Sequence, residues 1–247
     1  MSTSNIRVTI LGASGSFAGV DQACTGYLVQ SRRSNVLLDC GPGVMAQLQK
    51  YVSLSELDAI VITHCHPDHW VELPVITNAL KYVLNSHHLP VYGTARTHDF
   101  FDLVATGPPA PTIVWSTIDS DSTLAIGDQR WSFALVDHPV ETLAPRVEVG
   151  DSTFVFSSDT GPDIDPSIFG PDIDLLLCEA SLPIQDEGQA PHISGREAGV
   201  IAREAGAARL VLTHFVPGTD PEEHRRDAEL SYGAPVEIAT MGAVFAI

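Results

Sequence analysis

Residues 59–69 read Ala59-Ile60-Val61-Ile62-Thr63-His64-Cys65-His66-Pro67-Asp68-His69, an apolar run followed at once by three imidazoles and a carboxylate. The run from Ala59 to Ile62 reads as a buried strand. Side chains alternate along a strand, so His64 and His66 leave its end on one face and can grip one ion together. Pro67 ends any ladder and restricts the residue before it, so the chain turns and Asp68 and His69 point elsewhere. A second ion a few ångströms away requires that arrangement, and the spacing therefore points to two metals. One histidine alone would read as a surface or hydrogen-bonded core residue; four ligand-type residues in this register do not. Cys65, between the paired histidines, faces the other way by the same alternation and packs into the core.

Further donors are expected where other apolar strands end, because a metal pair needs side chains from several strand ends. Three positions meet that condition. His138 follows Phe133 to Val136, Asp159 follows Thr153 to Phe156, and His214 follows Leu210 to Leu212. Each alone reads as a turn residue capping a strand. Together with the first cluster they complete two ion sites of nitrogen and oxygen donors.

The rest of the chain sets the frame for this cluster. Its 247 residues suffice to bury a large core, and no linker-like stretch divides them, so residues 1–247 are read as a single domain. With 44% hydrophobic and 18% charged residues the composition is that of an ordinary globular protein, and no apolar run approaches a membrane span. The stretch Met1 to Ile6 is short and polar, without the features of an export signal. Cys24, Cys40, Cys65 and Cys178 are scattered without a CxxC pair, which points to reduced thiols and a cytoplasmic location. The formal charge of −18, with only 13 basic residues, disfavours extended nucleic-acid binding, which relies on lysine and arginine neutralising many phosphates. A small anionic substrate stays open if bound cations reverse the charge locally.

Strand-like segments at Arg7 to Leu11, Gly26 to Gln30 and Asn35 to Asp39 read as a meander. A helix is expected over Val44 to Tyr51, another over Leu73 to Leu84, a short strand at Val91 to Tyr92 and a helix over Ala95 to Ala105. Strands return at Ile113 to Trp115, Trp131 to Val136, Arg146 to Val149 and Thr153 to Phe156. The last third alternates: strands at Asp174 to Leu177, Leu210 to Leu212 and Val244 to Ala246, with helices at Gly195 to Ala205 and Pro221 to Leu230. Ser194 and Glu197 form a capping-box pattern at the first of these helices. Two successive halves of this kind point to two sheets packed face to face with helices outside and donors at one edge.

The HCHPDH run at 64–69 resembles the HxHxDH signature of the metallo-β-lactamase superfamily, and the later histidine, aspartate and histidine appear in the family's order. The resemblance implies a four-layer αβ/βα sandwich, α/β in class, with two mixed sheets. It implies one metal held by His64, His66 and His138, a second by Asp68, His69 and His214, and Asp159 bridging both. Two divalent ions are implied as cofactors, zinc foremost, with manganese or iron accepted by such donors. VTILGASG at Val8 to Gly15, LLDCGPG at Leu37 to Gly43, LTHF at Leu212 to Phe215 and CEAS at Cys178 to Ser181 are similar to the ribonuclease Z-like branch. So is PHISGREAG around His192. In that branch the counterparts of Glu179 and His192 form a hydrogen-bonded pair that helps protonate the leaving group, which makes both catalytic candidates beside Asp68, expected to orient the attacking water.

The tRNA-processing members of the branch carry a long arm between the residues matched by His138 and Asp159; here two strands fill that short interval. The segments at Gly26 to Val29, Ser158 to Gly161 and Leu177 to Ser181 look most like actinobacterial cyclic-nucleotide phosphodiesterases of an atypical class II kind, which also lack the arm. The expectation is hydrolysis of a small phosphodiester such as 3′,5′-cyclic AMP by hydroxide shared between two ions. Two carboxylates and a hydroxide leave such a site slightly positive, suited to a phosphodiester monoanion. Precursor tRNA cleavage, a lactonase or sulfatase activity, and a non-catalytic ligand sensor remain alternatives. Arg146 is a candidate phosphate contact, equally readable as a charged strand residue. A homodimer is among the assemblies open to the chain.

Overall fold

A computed structural model describes residues 4–105 and 107–247. The first half forms β1 (Arg7–Gly12), β2 (Gly26–Gln30), β3 (Asn35–Leu38), α1 (Val44–Leu48), β4 (Ala59–Val61), the single turn α2 (Pro67–Trp70) and α3 (Leu73–Ala79). It continues through β5 (Leu89–Gly93), α4 (Ala95–Val104) and β6 (Ile113–Thr117). The second half runs β7 (Thr123–Ile126), β8 (Gln129–Leu135), β9 (Leu143–Val149), β10 (Ser152–Phe156) and β11 (Leu175–Glu179). After α5 (Gly195–Glu204), β12 (Leu210–Thr213), α6 (Pro221–Tyr232) and β13 (Val236–Ile238), the closing strand β14 (Val244–Ala246) returns to the first sheet.

The strand order is β14-β1-β2-β3-β4-β5-β6 in one sheet and β13-β12-β11-β10-β9-β8-β7 in the other. Both sheets change from antiparallel to parallel pairing at the matching place: β3 is antiparallel to β2 and parallel to β4, and β10 is antiparallel to β9 and parallel to β11. The two halves therefore repeat one plan.

Strands covered on both faces read as continuous apolar runs. In β3, Val36 and Leu38 point between the sheets while Leu37 points out to the helices. In β11, Leu175 and Leu177 point inward while Leu176 and Cys178 point outward. The outer face of the first sheet is covered through Val44 and Leu48 of α1, Leu73 and Ile76 of α3 and Phe101 of α4; that of the second through Ala198, Ile201 and Ala202 of α5 and Ala228 of α6. This is the four-layer sandwich that the HCHPDH resemblance implied. Between the sheets Tyr27 packs edge-on against Phe156, ring centres 5.0 Å apart, and its hydroxyl lies 2.8 Å from Thr213 Oγ1.

Several local expectations meet their elements. Ser194 Oγ accepts from the Glu197 N–H at 3.1 Å, and Glu197 Oε2 accepts from the Ser194 N–H at 2.9 Å, closing the capping box that starts α5. The helix expected over Leu73 to Leu84 is regular only to Ala79, then widens into a π turn over Leu80–Leu84 that ends at Asn85 with φ 49°. The helix expected from Val44 stops at Leu48, five residues long. β7 and β13 were not anticipated: both are short edge strands, and Thr123–Ile126 has a single buried residue, so neither carries a strong apolar signal. All four cysteines are buried and free. Among the described residues no helix is long and apolar enough to cross a membrane.

Candidate metal centre

The site assembles at the carboxyl ends of β4, β8, β10, β11 and β12, most of them strands with a parallel neighbour, where an open α/β sheet presents its loops; β8 is antiparallel to both of its neighbours. β4 stops at Val61, so His64, Cys65 and His66 lie on the connection beyond it rather than in the ladder. His66 is extended, with φ −72° and ψ 137°, and caps α2, whose first residue is Pro67, a placement suited to proline's missing N–H. The turn of α2 carries Asp68 and His69. His138 follows β8, Asp159 follows β10 and His214 follows β12.

Three donor groups result, the third overlapping the other two. His64, His66, His138 and Asp159 offer atoms all within 4.8 Å of one another, as do Asp68, His69 and His214, and as do Asp159, His192 and His214. His138 Nε2 lies 3.1 Å from His66 Nδ1, and His64 Nε2 lies 3.7 Å from Asp159 Oδ2. In the second group His214 Nε2 is 3.3 Å from Asp68 Oδ2 and 3.2 Å from His69 Nε2. Asp159 joins them: Oδ2 faces His64, while Oδ1 stands 3.3 Å from both His69 Nε2 and His214 Nε2. The first two groups draw on both halves of the chain, the third on the second half alone.

These side chains fit divalent cations. Donors about 2.0–2.1 Å from a tetrahedral ion sit about 3.3–3.4 Å apart, the spacing seen here. His64 Nε2 and Asp159 Oδ1 are buried without any hydrogen-bond partner, although both point into the clusters. A buried acceptor left unpaired is costly, and a cation would satisfy both. Four of the imidazoles have their outer nitrogen tied to oxygen, leaving Nε2 inward: His69 Nδ1 to Asp39 Oδ2 at 2.8 Å, His64 Nδ1 to Thr63 Oγ1 at 3.1 Å, His214 Nδ1 to Ser181 Oγ at 2.8 Å, and His138 Nδ1 to the Pro191 carbonyl at 3.1 Å. Partners of this kind fix which ring nitrogen is free to bind metal.

The electrostatics agree. Burial works against a charged His69, but Asp159 and Asp39 on either side hold its imidazole well above the ordinary range. Burial likewise opposes ionised Asp68 and Asp159; His214 and His69 nevertheless hold both carboxyls below their usual value. Positive charge is thus favoured where the donors converge. His64, by contrast, is lowered first by burial and then by His69.

Glu179, at the end of β11, is wholly buried and accepts from His192 Nδ1 at 3.0 Å and from the Thr160 N–H at 2.6 Å. The His192 ring stacks on His214 with centres 5.6 Å apart and meets His138 edge-on at 5.4 Å. Burial alone would depress His192, yet the Glu179 hydrogen bond and charge raise it to about 9. His66, His138 and His192 are half-buried while the other donors are buried, so the site opens on their side. Arg146 is elsewhere engaged: its guanidinium binds Glu148 Oε1 at 3.0 Å and the Phe169 carbonyl at 3.0 Å, which consumes the donors a phosphate would need. Cys65 belongs to neither donor group.

Residues outside the expected set complete the centre. Asp39 accepts from His69 and, through Oδ1, from the Thr63 N–H at 2.8 Å; Thr63 Oγ1 donates to Asp39 Oδ2 at 2.9 Å. The signal was an aspartate directly after an apolar strand, in the Leu37 to Gly43 segment. Ser16 N–H donates to Asp68 Oδ2 at 2.7 Å, and a side chain at Gly15 would meet His214 Nδ1 at 2.6 Å. The glycine of the Val8 to Gly15 motif is therefore a matter of space against a donor.

Residues 34–215 match the family described as Beta-lactamase superfamily domain. Probable metallo-hydrolase YhfI of Bacillus subtilis (strain 168) is 31% identical over 245 residues, covering 97% of this chain and 99% of YhfI. The YhfI crystal structure aligns with a TM-score of 0.90 over 98% of this chain and 99% of that one. Ribonuclease Z of Myxococcus xanthus (strain DK1622) is 27% identical over 295 residues, covering 96% of each chain. Uncharacterized protein Rv1339 of Mycobacterium tuberculosis (strain ATCC 25618 / H37Rv) is 28% identical over 256 residues, covering 98% of this chain and 93% of that protein. The chain belongs to the metallo-β-lactamase superfamily, a metal-dependent hydrolase related to the ribonuclease Z-like branch.

Proposed function

We propose that the chain acts as one catalytic unit, a dinuclear phosphodiesterase that hydrolyses small cyclic nucleotides such as 3′,5′-cyclic AMP. The observation that carries the reading is Asp159, whose two oxygens are divided between two donor groups beside the Glu179–His192 pair. His64, His66 and His138 would hold one ion, Asp68, His69 and His214 the other, with zinc the first choice for nitrogen and carboxylate donors. Bound there, the ions supply a water acidified to near-neutral pKa and charge stabilisation for phosphoryl oxygens.

The chain's own residues do the rest. Asp68, with Oδ2 anchored by Ser16, orients the attacking water. His192 carries a proton at neutral pH and has Nδ1 committed to Glu179, so its Nε2–H is the edge that donates to the departing ribose oxygen. His192 Nδ1 is held by Glu179, as in the hydrogen-bonded pair that the ribonuclease Z-like resemblance implies, which favours the acid over the ligand role for His192.

Two features support a small substrate over tRNA. The interval from His138 to Asp159 is occupied by β9 and β10 joined by a tight turn at Gly150 and Asp151, and the formal charge is −18. The M. xanthus relative named Ribonuclease Z keeps tRNA cleavage as the second reading. One metal-loaded sample assayed on cyclic AMP, bis(p-nitrophenyl) phosphate and precursor tRNA decides between them. Turnover of the first two without tRNA cleavage is expected, and inertness toward every phosphodiester would sink the proposal.

A further inference from the structure

Between the second donor group and the Glu179–His192 pair lies one buried hydroxyl. Ser181 Oγ is 2.5 Å from Glu179 Oε2, 2.8 Å from His214 Nδ1 and 3.0 Å from the His214 carbonyl oxygen, and the residue is 1% exposed. A serine hydroxyl has a single proton to give, so its three neighbours compete for it. The shortest contact is to the carboxylate, and a bond to a charged acceptor is the strongest of the three. With its proton on the Glu179 side, Ser181 can only accept from His214, whose Nδ1 must then carry hydrogen. Nε2 is left with its lone pair facing Asp159 Oδ1 and Asp68 Oδ2, each at 3.3 Å. The opposite assignment, Ser181 donating to Nδ1, would put hydrogen on Nε2 and turn a metal donor into an ordinary partner of two carboxylates.

We propose that Ser181 is a positioning residue that transmits the Glu179 charge to His214, so that one carboxylate sets both the proton-bearing edge of His192 and the metal-donating nitrogen of His214. Glu179 can serve both because both its oxygens accept: Oε1 takes the Thr160 N–H and the shorter bond from His192 Nδ1, while Oε2 takes Ser181 and lies 3.2 Å from the same Nδ1. The role assigned to His192 rests on the phosphodiesterase reading; the link from Ser181 to the second ion does not.

The test uses the full chain as Ser181→Ala and Ser181→Thr, loaded with Zn²⁺, with metal content and extraction by EDTA followed by elemental analysis. Ser181→Ala is expected to release one of two ions about 10–100-fold more readily than wild type, the scale of losses when a ligand's hydrogen-bond partner is removed. The other ion should be retained, kcat on bis(p-nitrophenyl) phosphate should fall with KM little changed, and Ser181→Thr should restore both properties. Wild-type retention of both ions by Ser181→Ala would overturn the proposal, as would failure of folded Ser181→Thr to restore them. Inertness toward phosphodiesters with these metal results intact would defeat the substrate reading alone.

Discussion

Asp39 Oδ2 stands 2.8 Å from His69 Nδ1, with both side chains wholly shielded from solvent. The bond sets the ring of a second-group donor from outside the donor set, and through Thr63 the same carboxylate reaches His64 of the first group. Asp39 is therefore a brace for both groups. Asp39→Asn, which keeps the shape and removes the charge, should weaken metal binding about 10–100-fold, measured by competition with a chromophoric chelator. Unchanged affinity would show that the ring is held by packing alone.

Asp159 makes a prediction about stoichiometry. Asparagine in its place offers one oxygen and an amide nitrogen with no lone pair for a metal. Asp159→Asn should hold about one ion per chain fewer than wild type loaded in the same way, and Asp159→Ala fewer still, with catalysis falling to background. Two tightly held ions in the Asn variant would contradict the division of oxygens seen here.

His192 predicts a pH limb. Its pKa is raised to about 9, so the acid form predominates below that value and is lost as pH rises through it. Cations bound alongside pull the value down, so kcat/KM on a substrate with an alkoxide leaving group should decline at or below pH 9. His192→Ala should abolish this limb and cost about 10²–10⁴-fold on the alkoxide substrate, far less on nitrophenolate. Equal losses on both substrates would remove the acid role. The pair's contribution to stability has the same sign, complete below the unfolded imidazole pKa and lost as pH climbs through the folded one.

Gly15 tests space against a donor. A methyl at this position would meet His214 at Nδ1, at its carbonyl oxygen and at Cε1, at 2.6, 2.7 and 2.8 Å. Displacing a group at the reacting centre by an ångström costs about 10²-fold, so folded Gly15→Ala should lose about that much kcat. Wild-type turnover would mean that the loop gives way instead of the imidazole.

Tyr27→Phe separates fold from chemistry. The variant leaves Thr213 Oγ1 without its 2.8 Å partner at the sheet interface and should cost about 1–2 kcal/mol in urea denaturation. Its turnover under native conditions should match wild type.

Much of this centre was legible because it obeys local rules. The strand before His64, the break at Pro67, and His138, Asp159 and His214 after apolar runs all follow from periodicity and the end of a ladder, and the HCHPDH resemblance supplied the pairing into two groups. What escaped reading depends on contacts across the fold. Asp39 lies 30 positions from His69, and its place directly after an apolar strand, the one local signal, does not name the partner it braces. Ser181 acquires meaning only when β11 and β12 place Glu179 beside His214. Arg146 looked available for phosphate because Glu148, two residues along the same strand, and Phe169 in a later turn could not be seen to occupy it.

The repeated sheet plan carries a consequence for how the molecule comes into being. In the two groups that span the halves, neither half contributes more than two donors: His64 and His66 meet His138 and Asp159, while Asp68 and His69 meet His214. A nascent chain that has folded only its first half can therefore neither capture its ions firmly nor act on anything. The two mixed groups exist only once both halves have closed together, and removal of any cations held there should be felt as a loosened seam as much as a lost reaction.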